Sequence, residues 1–447
     1  RVFGGDLVTR LRASLPFAFT ASQDKVLEEI VHDLAAPRRM NRLLQGDVGS
    51  GKTLVALAAM LHVVESGGEA VLMAPTQILA EQHFLGFRRL LDPLGIPVAL
   101  RTAARTEDNT PLPLFSNSSN SMPSPRVIVG THALLFDSKE TIRPGLVVID
   151  EQHKFGVLQR ARLIERGDAC DVLVMTATPI PRTFTQTLYG DLEVSILREK
   201  PAARGEIVTA VRPEAKLPEV VDFVRKQLDR GRQAFIVYPL VEESEKLEAK
   251  AATEEFEKWK ELLSTHTIGL LHGRLAPEEK ERAMEQFRSG QIGALVATTV
   301  VEVGVDIPNA NLMLVENAER FGLAQLHQLR GRIGRGTHKS FCILLHAATA
   351  PEDALEKLAV LEATSDGFEI AEADLRLRGP GDLLGTAQTG LPPFRLGDPM
   401  KDIELMEDAR RQAREIFAHD ATMELSSHRR IKEYLAAAPA RIEAASG

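Results

Sequence analysis

From Gly46 onward the chain alternates short β-rich apolar runs with longer stretches whose apolar residues recur at helical spacing. The runs are Ala70–Ala74, Val127–Val129, Leu146–Ile149 and Val172–Met175, then Ala234–Tyr238, Ile268–Leu271, Ala294–Ala297, Leu312–Val315 and Phe341–Leu345. Such alternation predicts parallel sheets covered by helices, and two series of runs predict two α/β lobes. The break falls at "EKPAARG", Glu199–Gly205, where Pro and Gly interrupt both patterns. After about residue 346 no strand series continues, and the pattern predicts helices and loops. The expected division is 1–200, 201–346 and 347–447. Arg105–Arg126, rich in Ser, Asn and Pro and without periodicity, reads as a mobile surface loop.

Composition narrows the class. A chain of 447 residues has room for two or three domains, and 44% hydrophobic with 26% charged residues fits a soluble globular protein. No apolar run reaches membrane-spanning length. Cys170 and Cys342 form no C-x-x-C pattern, which argues against a thiolate metal site and suits a reducing compartment. The chain begins at Arg1 without a signal peptide and reads as a fragment of a cytoplasmic protein. A net charge of -8 gives no global attraction to nucleic acid, so contact with a polyanion must come from local basic patches.

The strongest chemical signal is "GDVGSGKT", Gly46–Thr53, a G-x-x-x-x-G-K-T run opening a helical segment. Gly46, Gly49 and Gly51, with Ser50 between them, let backbone N–H groups close around phosphates at a helix N-terminus. Lys52 would reach the phosphates and Thr53 would hold Mg²⁺. "LVVIDEQH", Leu146–His153, supplies the matching carboxylates: Asp150 beside the Mg²⁺ and Glu151 to polarise the attacking water. "QLRGRIGRG", from Gln328 to Gly336, spaces three arginines around glycines, and Arg332 and Arg335 could reach a γ-phosphate. Gln328 heads this run and completes the candidate catalytic set. With the arginines on one lobe and the phosphate loop on the other, ATP would join the lobes and hydrolysis release them, as in a motor.

In chain order, "GDVGSGKT", "MAPTQILAEQH" (Met73–His83), "GTHALL" (Gly130–Leu135), "DEQH", "MTATPIPRT" (Met175–Thr183), "LLHGRL" (Leu270–Leu275), "TTVVEVGVDIPNA" (Thr298–Ala310) and "ENAERFGLAQLHQLRGRIGRG" (Glu316–Gly336) resemble superfamily 2 helicases. The wording is most similar to the RecG family of branched-DNA helicases, over nearly the whole chain. The transcription-repair coupling factor, another duplex-DNA translocase, is the next best match. "DLRLRGPGDLLGTAQTG", Asp374–Gly390, resembles the translocation motif that both families share. The fold this implies is α/β: two tandem RecA-like parallel-sheet lobes followed by a mainly helical C-terminal region.

The resemblance assigns further roles. Gln23 of "PFAFTASQ" matches a glutamine that reads adenine, so ATP is the implied nucleotide, with Mg²⁺. Gly304 and Asp306 of "EVGVD" resemble residues that close on ATP. Thr176, Thr178 and His153 look like couplers of the nucleotide site to DNA. Candidate DNA contacts by motif are Thr76, Gln77, Thr131, His132, Arg274 and Thr299. Arg376, Arg378 and Gln388 match positions that link lobe rotation to movement along the duplex. Phosphate contacts of this kind position a duplex without reading its sequence.

The chain departs from the family in three places. Ala387 stands before Gln388 where an arginine is usual. Lys357 stands at a hairpin position that is usually arginine, keeping charge but losing the bidentate fork. "RTAARTEDNT" after Leu100 replaces a Thr-Gly-Ser turn and a charged helix. RecG proteins also carry an N-terminal wedge domain that splits strands at the fork, and this chain starts just before the motor, so it is expected to hydrolyse ATP and bind duplex weakly without unwinding forks.

The sequence thus reads as an ATP-dependent DNA helicase or translocase motor acting on branched DNA, stalled forks and four-way junctions included, in repair and recombination. The resemblance implies branched and double-stranded DNA as partners, a single-stranded-DNA-binding protein as a further partner, a monomer and no membrane. A superfamily 2 RNA helicase and a nucleotide-binding scaffold without turnover are the other readings.

Overall fold

The computed structural model describes residues 4–103, 105–108, 125–131, 134, 144–150, 170–176, 192–199, 205–239, 245–298, 307–334, 336, 338–378, 402–420 and 422–436. The chain divides into two compact units, the first comprising Arg1–Gly46, Gly51–Arg198 and Arg378–Gly447, the second Asp47–Ser50 and Glu199–Leu377.

In the first unit the strands are β1 (Asn41–Gly46), β2 (Glu69–Met73), β3 (Val98–Arg101), β4 (Thr106–Asp108), β5 (Val127–Gly130), β6 (Pro144–Asp150), β7 (Asp171–Thr176) and β8 (Glu193–Leu197). They form one sheet in the order β4-β3-β5-β2-β6-β7-β1-β8, parallel throughout except for β4 on β3. Leu43, Val71, Val147 and Val174 of its central strands are buried in one cluster. The helices are α1 (Asp6–Ser14), α2 (Ala21–Ala35), α3 (Lys52–Glu65) and α4 (Gln77–Leu91), with α11 (Ile403–His419) and α12 (Arg429–Ala436) near the C-terminus. Helix α3, "KTLVALAAMLHVVE", is apolar nearly all round, as a helix enclosed on several sides must be.

The second unit holds β9 (Ile207–Pro213), β10 (Gln233–Val237), β11 (Ile268–Leu271), β12 (Ala294–Ala297), β13 (Ala310–Val315) and β14 (Ser340–His346) in the order β11-β12-β10-β13-β14-β9, all parallel. Its helices are α5 (Leu217–Asp229), α6 (Glu245–Leu262), α7 (Pro277–Arg288), α8 (Leu323–Arg330), α9 (Glu352–Ala363) and α10 (Gly367–Arg378). Apolar side chains fill clusters on both faces of this sheet. Trp259 is fully buried, and its ring N–H donates to Glu316 Oε1 at 2.5 Å, so the buried indole keeps a partner.

Each of the nine apolar runs read from the sequence forms a strand. The pattern did not announce β1, β3, β8 or β9: β1 offers only Leu43 and Leu44 as apolar residues and β3 is a short run ended by Arg101, while β8 and β9 lie at sheet edges, half-exposed, with no continuous apolar run. It also read Thr106–Asp108 as loop, whereas these residues form the edge strand β4. Charge rather than apolarity holds them: Arg101 and Arg126 meet Asp108 at 2.9 and 3.1 Å, and Arg88 meets Glu107 at 2.9 Å. Among the described residues no helix is long and apolar enough to cross a membrane.

Candidate nucleotide site and coupling elements

Parallel strands bring their carboxyl ends to one edge of the sheet, where open α/β sheets bind ligands. In the first unit Gln45 lies opposite Thr176, Asp150 opposite Met175, Met73 opposite Ile149 and Gly130 opposite Met73. Gly46, Asp150, Thr176 and the residues that follow Met73 and Gly130 therefore share that edge. Thr76, Gln77 and Thr131 are among them.

The loop after β1 is built by two left-handed glycines, Gly49 at φ 77° and Gly51 at φ 87°. The Ser50 N–H donates to Asp47 O at 3.1 Å, and the Leu54 and Val55 N–H groups both reach Gly51 O, starting α3. Ser50 and Lys52 are buried. The Lys52 ammonium donates to Gly46 O at 2.8 Å, which turns it into the loop, and Thr53 beside it is half-buried. These are the groups a polyphosphate needs: a cation, backbone donors and a hydroxyl at a helix N-terminus.

Gln23 stands against this loop. It is 2% exposed, and a Cβ at Gly51 would lie 2.2 Å from its Nε2. Its Oε1 accepts the Thr20 N–H at 3.0 Å while Thr20 Oγ1 accepts the Gln23 N–H at 3.3 Å, a capping box that begins α2. The same amide thus caps α2 through its Oε1 and sets its Nε2 against Gly51. Buried Arg42 on β1 fixes α2 behind it, donating to Asp33 Oδ2 at 2.7 Å and to Ser195 Oγ of β8 at 2.6 Å.

Asp150 ends β6 with a buried carboxylate, and its Oδ2 lies 2.9 Å from His83 Nε2 on α4. Sequence reasoning assigned His83 no role, although it closes the quoted "MAPTQILAEQH". Thr76 caps the same helix, its hydroxyl accepting the Leu79 N–H at 3.4 Å, and Gln77 donates to Glu81 at 3.0 Å. Thr131 and Thr176 are buried at the ends of β5 and β7.

In the second unit Gln328 lies on α8 and Arg332 just past it, both buried. Arg330, between them, was not singled out by sequence. Its Nη1 donates to Leu361 O and Thr364 O, both at 2.8 Å, and so closes the carboxyl end of α9. Burial pushes its pKa down, opposed by Cys342 and Asp47. Arg274 is exposed after β11 and Arg376 is exposed on α10, the helix that Arg378 ends. Glu151, His132, His153, Thr178, Thr299, Gly304, Asp306, Arg335 and Gln388 lie outside the described residues.

Among the described residues no group of three or more His, Cys, Asp or Glu could hold a metal. Mg²⁺ bound to a nucleotide needs no such cluster, because one or two protein oxygens suffice beside the phosphates. Asp150 and Thr53, hard oxygen donors at one sheet edge, fit that demand.

The DEAD/DEAH box helicase family matches residues 20–187, the helicase conserved C-terminal domain 215–337, and the C-terminal part of domain 3 of the ATP-dependent DNA helicase RecG 364–436. The ATP-dependent DNA helicase RecG of Synechocystis is 48% identical over 96% of this chain and 51% of its own length. That of Escherichia coli O157:H7 is 46% identical over 92% of the chain and 60% of its own. A solved RecG bound to a three-way DNA junction superposes with TM-score 0.72 at 42% identity, over 91% of this chain and 53% of that one. Yeast Dbp5 bound to RNA and ADP BeF3, at TM-score 0.57 and 19% identity, shares the fold.

Two parallel-sheet units that match, in order, the DEAD/DEAH box helicase and helicase conserved C-terminal models have the paired-lobe fold of superfamily 2 helicases. Within that class the chain belongs to the RecG family of ATP-dependent DNA helicases. It spans about half to three fifths of the length of the curated relatives it matches.

Proposed function

We propose that this chain is an ATP-hydrolysing motor that moves duplex DNA and acts at branched DNA in repair and recombination. The carrying observation is that Lys52 and Asp150, buried at the carboxyl ends of β1 and β6, share one sheet edge in a chain of the RecG family. Lys52 and the N–H groups of Gly49–Thr53 bind and orient the phosphates of ATP. Gln23 faces the adenine. Thr53 and Asp150 hold Mg²⁺, which when bound draws charge off the phosphate oxygens.

Glu151 orients and polarises the attacking water. Gln328, Arg332 and Arg335 meet the γ-phosphate as charge develops on it, a contribution of roughly 10³–10⁵ in rate for such arginines. Gly304 and Asp306 close on the nucleotide. Thr76, Gln77, Thr131, His132, Arg274 and Thr299 hold the DNA backbone, with His153, Thr176 and Thr178 carrying the state of the nucleotide site to it. Arg376, Arg378 and Gln388 convert that change into movement. The proposal includes a monomeric motor and a single-stranded-DNA-binding protein as partner, supported by the family alone, and a cytoplasmic setting, supported by the sparse, unpaired cysteines.

Steady-state ATP hydrolysis by this chain and by Glu151→Gln tests it, with no nucleic acid, linear duplex, a synthetic fork or RNA present. Stimulation by duplex or forked DNA that Glu151→Gln abolishes supports the motor. Stimulation by RNA alone would favour an RNA helicase, and no turnover under any condition would favour a scaffold.

A further inference from the structure

A cavity of about 410 Å³ opens where β1 and β8 begin, beside Met40, Asn41 and Glu193. It is therefore at the amino-terminal edge of the first unit's sheet. The six residues of β1, about 20 Å of strand, separate it from the phosphate loop.

Four guanidiniums line the cavity, from Arg38, Arg39, Arg410 and Arg414, against the two carboxylates of Asp33 and Glu193. Both carboxylates are engaged: Asp33 takes Arg42 at 2.7 Å and Glu193 takes Arg414 at 2.7 Å. Arg410 donates to Leu192 O at 2.8 Å. These bonds hold α11 over the start of β8, so the wall is formed before any ligand arrives. Arg38 and Arg39 stand exposed on the short link between α2 and β1, with no ion pair or hydrogen bond among the described residues. The lining thus carries a formal excess of two positive charges, the complement of a phosphate monoester or of two successive phosphodiesters. Guanidinium forks match phosphate oxygens in pairs.

Phe417 supplies the other half of the chemistry. It lines the same cavity and is 57% exposed, an aromatic face left open to solvent beside free cations. Arginines that track phosphates and a ring on which a base stacks are the two components of single-strand and nucleotide binding, stacking contributing ~1–3 kcal/mol per base. An acidic peptide would satisfy the charge but would leave the ring unexplained.

We propose that this cavity is a second nucleotide-unit site, remote from the ATP loop, that takes phosphate on Arg38 and Arg39 and a base on Phe417. The unit comes either from a free mononucleotide or from single-stranded nucleic acid. The test is photo-cross-linking of the chain to a thymine-rich oligonucleotide carrying 5-iodouracil, with peptide mapping, in the unaltered chain and in Arg38→Glu/Arg39→Glu. Basal ATP hydrolysis of the double variant, measured without nucleic acid, checks that it is folded. The expected result is an adduct on Phe417 that the double variant loses. Its oligonucleotide affinity should also depend less steeply on salt, by about 1.4 in the log–log slope for two single-strand phosphate contacts. Competition by thymidine monophosphate would assign the site to free nucleotides, and its failure to compete would assign it to the strand. No adduct on α11, or an adduct and slope unchanged in the double variant, overturns the proposal.

Discussion

His83 Nε2 lies 2.9 Å from Asp150 Oδ2, so α4 and the carboxyl end of β6 are joined by a hydrogen bond between two nearly buried side chains. The contact ties the Asp150 carboxylate to α4 through Oδ2. Behind a metal ligand, the role proposed for Asp150, partners of this kind typically contribute roughly 10–100-fold in metal affinity or activity. His83→Ala should therefore raise the Mg²⁺ concentration for half-maximal ATP hydrolysis roughly 10–100-fold. The KM for ATP at saturating Mg²⁺ should move much less. His83→Gln, which keeps a donor, should recover part of the loss, and an unchanged Mg²⁺ dependence would remove His83 from the site.

Gly51 is held twice, by its φ of 87° and by Gln23 Nε2 at 2.2 Å from the place a Cβ would take. Gly51→Ala meets both. The left-handed backbone alone costs roughly 1–2 kcal/mol for a residue with a Cβ. Adding Gln23→Ala clears the contact but not the backbone strain. Thermal unfolding should place the double variant above Gly51→Ala and still below the parent chain corrected for Gln23→Ala alone. Complete recovery would assign the whole cost to the side-chain contact.

Arg42 is buried with Asp33, and removing one partner strands the other's charge. Arg42→Leu should cost about 3–5 kcal/mol in urea unfolding of the first unit. Replacing Asp33 by Leu as well should return much of it, because an apolar pair needs no desolvated charge. Equal losses in the single and double variants would show that Ser195 and Glu29, the remaining neighbours of Arg42, carry the effect.

Burial pushes the Cys342 thiol up to about 12, with the Arg330 guanidinium opposing the shift. An unfolded thiol ionises near 8.5. The folded chain keeps the proton, so the contribution to stability is fully present below about pH 8.5 and is lost as pH rises toward 12, at about 1.4 kcal/mol per unit. Urea midpoints at pH 8, 9 and 10 should fall more steeply for the parent than for Cys342→Ala. Parallel declines would contradict the shift.

Strands enclosed by helices on both faces had to be apolar, and β2, β6, β10 and β13 were legible for that reason. The glycine-rich turn before α3 was legible because Gly49 and Gly51 take left-handed backbone there, and the place of Asp150 because it ends a buried strand. Long-range pairing left no such mark. His83 looks like any helical histidine until α4 lies beside β6. Arg330 is one arginine among three until α9 ends at its guanidinium. Arg38 and Arg39 carry no mark in the pattern at all, because it is α11, more than 360 residues further along the chain, that sets Phe417 in the same cavity.

The central claim, movement along duplex DNA driven by the Lys52–Asp150 site, is tested most directly by displacement of a third strand from a DNA triplex. The account predicts ATP-dependent displacement by this chain, abolished in Lys52→Ala and in Asp150→Asn, with DNA binding retained. Displacement that persists in either variant, or hydrolysis stimulated by duplex with no displacement at any ATP concentration, would contradict it.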